Sequence, residues 1–386
     1  MINQDYAQLN NNTHPEWNDW KWQQRNSIRD EETLKKICNT NWSSAISEQI
    51  SRNLENRKMS ITPYYLNIIV QNNTYKDITE NPLWRQVVPF MSPETEVGYD
   101  GTTENWELPH EMKTPICQHK YDDRVILRMI NTCSSYCQFC YEALRVLETK
   151  SKKDNATVDL FQESINYIKS NPAIEEVILS GGDPLMLPDH KIEDALAKIR
   201  TISDKILIRI HSRMLTFNPY RLTENLVKIF IKYNVNSFGV HVAHPFELTE
   251  DYKKSLKLLQ SAVPIICANI PLLHKVNDDK DTLRTLFMDL YRAGVKPYYL
   301  YHFMQFSPGS SEYKESIQTG IKIMKSLKRS VSNIAMPEYV LPHSTGKFTI
   351  PLIEDVTELP KFENINGKRH YNFINWQGKQ CSWMDE

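Results

Sequence analysis

The 386-residue chain has no apolar run of about 18 residues or more, so no segment suits a membrane-spanning helix. Its opening, MINQDYAQLNNNTHPEWNDW, lacks the basic stretch and following apolar run of a secretion signal. A charge excess is missing as well, since 46 Lys and Arg stand against 47 Asp and Glu. Without a basic field or an appended basic patch, nucleic acid and anionic membranes are not expected partners, and a small molecule is. Paired cysteines are also lacking: seven is an odd number, in a large chain with no leader, which argues against a disulfide framework. Together these absences predict a cytoplasmic protein.

Residues 1–110 show no period-two alternation. They carry Trp-rich, charged stretches such as WNDWKWQQRNSIRDEETLKKI, in which Asp30 is placed to cap a helix continued by Glu32 and Leu34. An N-terminal helical region is expected here, wrapping a neighbouring subunit of a homo-oligomer. From about residue 121 the texture changes to six β-rich runs separated by amphipathic segments: RVILRMI (124–130), EVILSGG (176–182), KILIRIH (205–211), SFGVHVA (237–243), VPIICAN (263–269) and KPYYLYHF (296–303). Repeated βα units predict an α/β fold, a partial (β/α)6 TIM-like barrel over 111–330. The remaining residues, 331–386, predict an irregular C-terminal segment.

In such a barrel the chemistry lies at the C-terminal ends of the strands. Those ends read Asn131-Thr132-Cys133, Ser180-Gly181-Gly182-Asp183, His211-Ser212-Arg213, His241 to His244, Asn269 and Tyr301-His302. Cys133, Cys137 and Cys140 place three thiols on one loop as C-x3-C-x2-C. A closed zinc site wants four ligands, commonly as two separated pairs, and no second pair follows. A 4Fe–4S cluster on three cysteines leaves one iron open to bind another molecule and pass it an electron. Farther on, Gly346-Lys347 in a Ser/Thr/Gly turn sets a lysine where backbone can approach a ligand closely.

The cysteine motif directly after the first barrel strand resembles the radical S-adenosylmethionine superfamily. A narrower resemblance, to the lysine 2,3-aminomutase family, rests on HKYDDRVILRMINTCSSYCQFC, ILSGGDPLML, HPFELTEDYKKSLKLL, LLHKVNDD, KPYYLYHF and TGIKIMKSLKRSVSNIAMPEYV. The resemblance implies three cofactors, a 4Fe–4S cluster, S-adenosylmethionine and pyridoxal 5′-phosphate, with an external reductant for the cluster. It makes Cys133, Cys137 and Cys140 the cluster ligands and Lys347 the lysine that carries pyridoxal phosphate. Lys120, Tyr121 and Arg124 become phosphate contacts, with Lys120 standing where the family has Arg. Ser180, Gly181, Gly182, Asp183, Ser212, Arg213, His241, His244 and Asn269 fall where the family lines S-adenosylmethionine. The implied reaction moves an amino group from Cα to Cβ of an amino acid, an isomerisation whose hydrogen removal only a cofactor radical can achieve.

Departures from the family bear on the substrate. Lysine-specific members hold the distal ammonium with two aspartates, where this chain has Phe303-Met304 and Val340-Leu341-Pro342. A buried ammonium without a counter-ion is strongly disfavoured, so the expected substrate is an amino acid other than lysine. Two residues past the last cluster cysteine, Glu142 replaces the family's carboxylate-binding Arg. Either Arg128 or Arg145 takes over the carboxylate, or Glu142 binds a cation, or Glu142 turns to pair with one of those arginines. Phe303 and Met304 are expected on one wall of the substrate pocket and Glu142 and His211 on another, with Arg128 and Tyr301 as further substrate contacts. An alternative ending of the same hydrogen abstraction is desaturation, elimination or decarboxylation, which would consume S-adenosylmethionine. A non-catalytic barrel is disfavoured because Lys347 and the SGGD motif are both present.

Overall fold

The structure is a computed structural model that describes residues 12–38, 42–91, 107–146, 158–304, 307, 309–375 and 378–385. Its N-terminal part contains helices α1 (Trp20–Arg25), α2 (Glu31–Cys38), α3 (Ser44–Asn56), α4 (Pro63–Gln71) and α5 (Trp84–Val87). Asp30 opens α2 as expected, its Oδ1 accepting from the Thr33 amide at 2.8 Å. The aromatic residues of this part, among them Trp22, Trp84 and Tyr65, form a core with Phe217, Ala243, Leu273, Phe303 and Tyr313 from the strand-end loops. The helices therefore cover the strand ends of their own sheet.

Ten strands follow in one sheet, in sequence order: β1 (Met112–Thr114), β2 (Cys117–Tyr121), β3 (Arg124–Arg128), β4 (Glu176–Ser180), β5 (Leu207–Ser212), β6 (Ser237–His241), β7 (Ile265–Pro271), β8 (Lys296–Tyr301), β9 (Glu338–His343) and β10 (Gly346–Thr349). The six runs read from the sequence are β3 to β8, all parallel. They are joined through α6 (Ala143–Val146), α7 (Val158–Lys169), α8 (Asp189–Arg200), α9 (Met214–Phe217), α10 (Glu224–Lys232), α11 (Glu250–Gln260) and α12 (Lys280–Arg292). With β1 and β10 at its two ends, the sheet is an open, partial barrel.

Alternation along the strands separates two environments. Val125, Leu127, Val177, Leu179, Ile208, Ile210, Phe238 and Val240 are buried in the core shared with the crossover helices. Each such side chain contributes roughly 1.5–3 kcal/mol by leaving water. The alternate residues Arg124, Ile126, Glu176, Ile178, Arg209 and His211 line a cavity inside the sheet's curve. The outer face holds the fold, and the inner face is left for polar chemistry.

The segment 331–386 departs from the irregular tail expected. After α13 (Ser310–Tyr313) and α14 (Ile317–Leu327), β9 joins β8 in parallel and turns back into β10, so the sheet runs across the expected boundary at 330. Beyond it, β11 (Lys361–Ile365), β12 (Lys368–Ile374) and β13 (Gln380–Met384) form a separate antiparallel sheet. The β11–β12 turn is Asn366-Gly367, with φ of 53° and 76°, the two left-handed residues that a tight hairpin needs. Among the described residues no helix is long and apolar enough to cross a membrane.

Candidate active site

Lys347 enters the cavity from β10. Gly346 before it has φ +126°, a conformation that favours glycine, and a Cβ there would also lie a tight 3.3 Å from the Tyr121 hydroxyl. The Lys347 amide donates to that hydroxyl at 3.0 Å. Lys347 Nζ sits 5.2 Å from the Tyr121 ring centre and 5.6 Å from that of Tyr299. Burial, and then repulsion from Arg124, Arg209 and Lys120, brings its pKa down to about 8. The cavity around it is about 330 Å³, with Tyr301 and Asn269 also in its wall.

The expected phosphate contacts are gathered here with different obligations. Lys120 Nζ donates to Glu111 Oε1 at 2.7 Å and to the Ser344 carbonyl at 2.5 Å, so its charge is shared with a carboxylate. Arg124 stacks 4.0 Å above the Tyr121 ring and meets Asp123 at 2.6 Å. A third cation, Arg209, pairs with Glu176 through Nε at 2.9 Å and through a second short contact. Arg209 and Glu176 escaped the sequence reading. Their signal was the alternation in EVILSGG and KILIRIH, which sends Val177, Leu179, Ile208 and Ile210 outward and Glu176, Arg209 and His211 inward. A partly neutral amine, cations and two tyrosine faces around one small cavity fit a dianionic aromatic cofactor such as pyridoxal phosphate.

At the other end, the loop after β3 carries Cys133, Cys137 and Cys140. Three thiols on one loop, with no fourth thiol beside them in the motif, are the donor set of a 4Fe–4S cluster that leaves one iron open. Burial raises all three thiols. The N-terminal part fixes this loop: the Gln138 amide donates to the Gln86 carbonyl at 2.9 Å, and Ser60 Oγ to the Ser134 carbonyl at 3.2 Å. The SGGD residues fix it from below. Gly181 has φ +128°, and a Cβ on it would lie 2.6 Å from the Ile130 carbonyl oxygen, so these glycines admit the cluster loop itself.

Asp183 accepts from Ser212 Oγ at 2.8 and 2.9 Å, from the Arg213 amide at 2.9 Å and from the Leu185 amide at 3.0 Å. Burial nonetheless raises its pKa to about 6. It ties the end of β4 to the end of β5. Arg213 then reaches Cys137, with Nη1 2.8 Å from Sγ. Between the two ends lie His211, His241 and Asn269. The imidazoles are 5.5 Å apart, and Asn269 Nδ2 is 3.4 Å from His241 Nε2. Burial lowers His241 to about 4 and His211 well below its usual value, so both are neutral. His211 Nε2 is buried and has no partner among the described residues, as suits an atom that meets a ligand. His244 is not brought to this site. Its Nδ1 accepts from the Phe246 amide at 3.2 Å, and its side chain lines a separate, open cleft of about 550 Å³ with Arg85 and Asp278.

Of the substrate candidates, Tyr301 is in the cavity wall. Phe303 packs in the aromatic core 6.0 Å from Tyr313, and Met304 is absent from the cavity lining, so this pair does not form the expected wall. Arg128 and Glu142 face each other. Arg128, 2% exposed, donates to Glu142 Oε1 from Nε at 3.1 Å and Nη2 at 2.9 Å, and to Glu107 Oε2 at 2.7 Å. Of the alternatives for Glu142, pairing with an arginine is the one realised; the Arg145 side chain lies outside the described residues. Gln118 continues the network, accepting from Arg128 at 3.0 Å and donating to Glu111 at 2.9 Å. A polar chain thus links Lys120, at the lysine end, to Glu142, two residues past Cys140.

Residues 127–286 match the radical SAM superfamily. The L-lysine 2,3-aminomutase of Methanococcus maripaludis is 35% identical, with 97% of this chain and 83% of the relative aligned. That of Acetoanaerobium sticklandii is 33% identical over 88% of this chain and 79% of the relative. The glutamate 2,3-aminomutase of Clostridioides difficile is 29% identical over 97% of this chain and 85% of the relative.

Proposed function

The chain belongs to the lysine 2,3-aminomutase family of radical SAM enzymes, and from that premise we propose that it is a 2,3-aminomutase for an amino acid other than lysine. The observation that carries this reading is one line of inward-facing groups. It begins at Lys347, passes His211 and His241, and ends with Arg213 on Cys137. The cluster with S-adenosylmethionine supplies a carbon radical able to remove hydrogen from an unactivated carbon, and pyridoxal phosphate holds the migrating nitrogen.

The protein's own groups do the rest. Lys347 Nζ, with a pKa of about 8, is partly uncharged near neutral pH, the state in which an amine is a nucleophile. Arg124 and Arg209 orient an anion beside it, and Tyr121 and Tyr299 flank a flat ring. His211 and His241 add no charge to the middle of the lumen. The N-terminal helices keep water from the strand ends, where a carbon radical has to survive. No described carboxylate among Phe303, Met304 and Val340 to Pro342 is available for a distal ammonium, which supports a non-lysine substrate. The glutamate-specific name of one relative supports a family wider than lysine.

The test is turnover by anaerobically reconstituted enzyme on a panel of L-amino acids that includes lysine and glutamate. The expected product is a β-amino acid, with S-adenosylmethionine regenerated. Preference for lysine would overturn the substrate reading. Stoichiometric 5′-deoxyadenosine would point instead to desaturation, elimination or decarboxylation.

A further inference from the structure

We propose that Arg213 sets the reduction potential of the cluster through its contact with Cys137. The inference rests on the three-cysteine cluster alone and is independent of the substrate.

Arg213 is buried, and both terminal nitrogens and both faces of its guanidinium are engaged, while Nε has no partner among the described residues. Nη1 lies 2.8 Å from Cys137 Sγ. Nη2 donates to Glu247 Oε1 at 2.9 Å and also to Gln86 Oε1. Phe217 and Phe139 cover its faces, with ring centres 4.6 and 5.5 Å from Cζ. Glu247 is itself immobile: fully buried, it accepts from the Ala243 amide at 2.6 Å, the His244 amide at 3.1 Å and the Tyr65 hydroxyl at 2.8 Å. The cation cannot turn from the sulfur without breaking contacts to three other parts of the chain. Among the described residues, neither Cys133 nor Cys140 has a comparable cation bonded to its sulfur.

The consequence is electrostatic. An external low-potential donor gives the cluster one electron, taking it from the 2+ to the 1+ state; no bond forms or breaks in the protein. The added negative charge is spread over iron and sulfur. A fixed, buried cation on one ligand sulfur stabilises the reduced form more than the oxidised one and so raises the potential. Glu247, behind the guanidinium, acts with the opposite sign. Arg213 and Glu247 are positioning residues in this respect, because they act through Cys137.

The experiment is an EPR-monitored redox titration with dithionite on reconstituted wild-type protein and the variants Arg213→Met, Arg213→Lys and Glu247→Gln, with iron and sulfide assayed in each. For Arg213→Met the reduction equilibrium is expected to weaken about tenfold, a shift of ~59 mV to more negative potential for one electron. Arg213→Lys should shift less, in the same direction. Glu247→Gln should shift oppositely, which loss of a merely structural brace would not produce. A wild-type potential in fully loaded Arg213→Met overturns the proposal. If that variant fails to load its cluster, a wild-type potential in both Arg213→Lys and Glu247→Gln does the same.

Discussion

The two ends of the lumen handle charge in contrasting ways. At the cluster end Asp183 accepts from three donors, Arg213 is clamped between Glu247 and Gln86, and backbone from the N-terminal helices holds the cysteine loop. At the lysine end Nζ of Lys347 rests among tyrosine rings and faces cations, with its pKa lowered to about 8. One end is tied for fixed geometry and the other is poised to release a proton. Electron transfer tolerates no loose ligand, whereas an amine that must react cannot be locked in an ion pair.

The largest effects come from removing one end while keeping the other. Lys347→Ala should abolish pyridoxal phosphate loading and reduce turnover by about a thousandfold or more, while the cluster spectrum stays intact. Cys137→Ala should lose iron and S-adenosylmethionine cleavage to a similar degree, yet still acquire the visible band of bound pyridoxal phosphate. Each lesion abolishing both loadings would mean that the two ends do not form separately.

The link between the ends predicts a smaller, structural effect. Arg128 is buried between Glu107 and Glu142, so Arg128→Met removes the buried cation that the two carboxylates share. Breaking a buried pair on one side costs about 3–5 kcal/mol, seen as a lower midpoint in urea unfolding. Adding Glu142→Gln to that variant should recover part of the loss. Next in size is Arg209→Gln, which removes one of the cations facing Lys347. Pyridoxal phosphate affinity, measured by absorbance titration, should fall about tenfold, the scale of one charge-assisted contact.

The two ends were not equally legible in the sequence. The cysteine loop was, because its three thiols and the βα repeats are local patterns with few alternative meanings. Lys347 was marked only weakly by its Gly-Lys turn, and its role came from the family resemblance. Arg209 and Glu176 were overlooked because a charged residue inside a β-rich run normally marks an edge or a mouth, and only curvature of the sheet turns that face into a cavity. Glu247 and Gln86 were beyond reach in sequence, since they meet Arg213 from 34 and 127 residues away. The strands after 330 were missed for want of a long apolar run, although Asn366-Gly367 marked one hairpin.

The last effect separates the two ends by proton alone. Folded Lys347 holds its proton less tightly than the ordinary lysine at 10.5, chiefly through burial and secondarily through Arg124, Arg209 and Lys120. Incorporation of pyridoxal phosphate into the apoprotein should therefore rise with pH around a midpoint near 8, not near 10.5. Between those values the unfolded chain binds more protons than the folded one, so stability should rise with pH across that window, by about 3 kcal/mol at most. Lys347→Met should remove this slope. Arg209→Gln should move the incorporation midpoint upward, because a repelling cation is lost. A midpoint that stays put would show that burial alone depresses the lysine, leaving the surrounding cations to the phosphate.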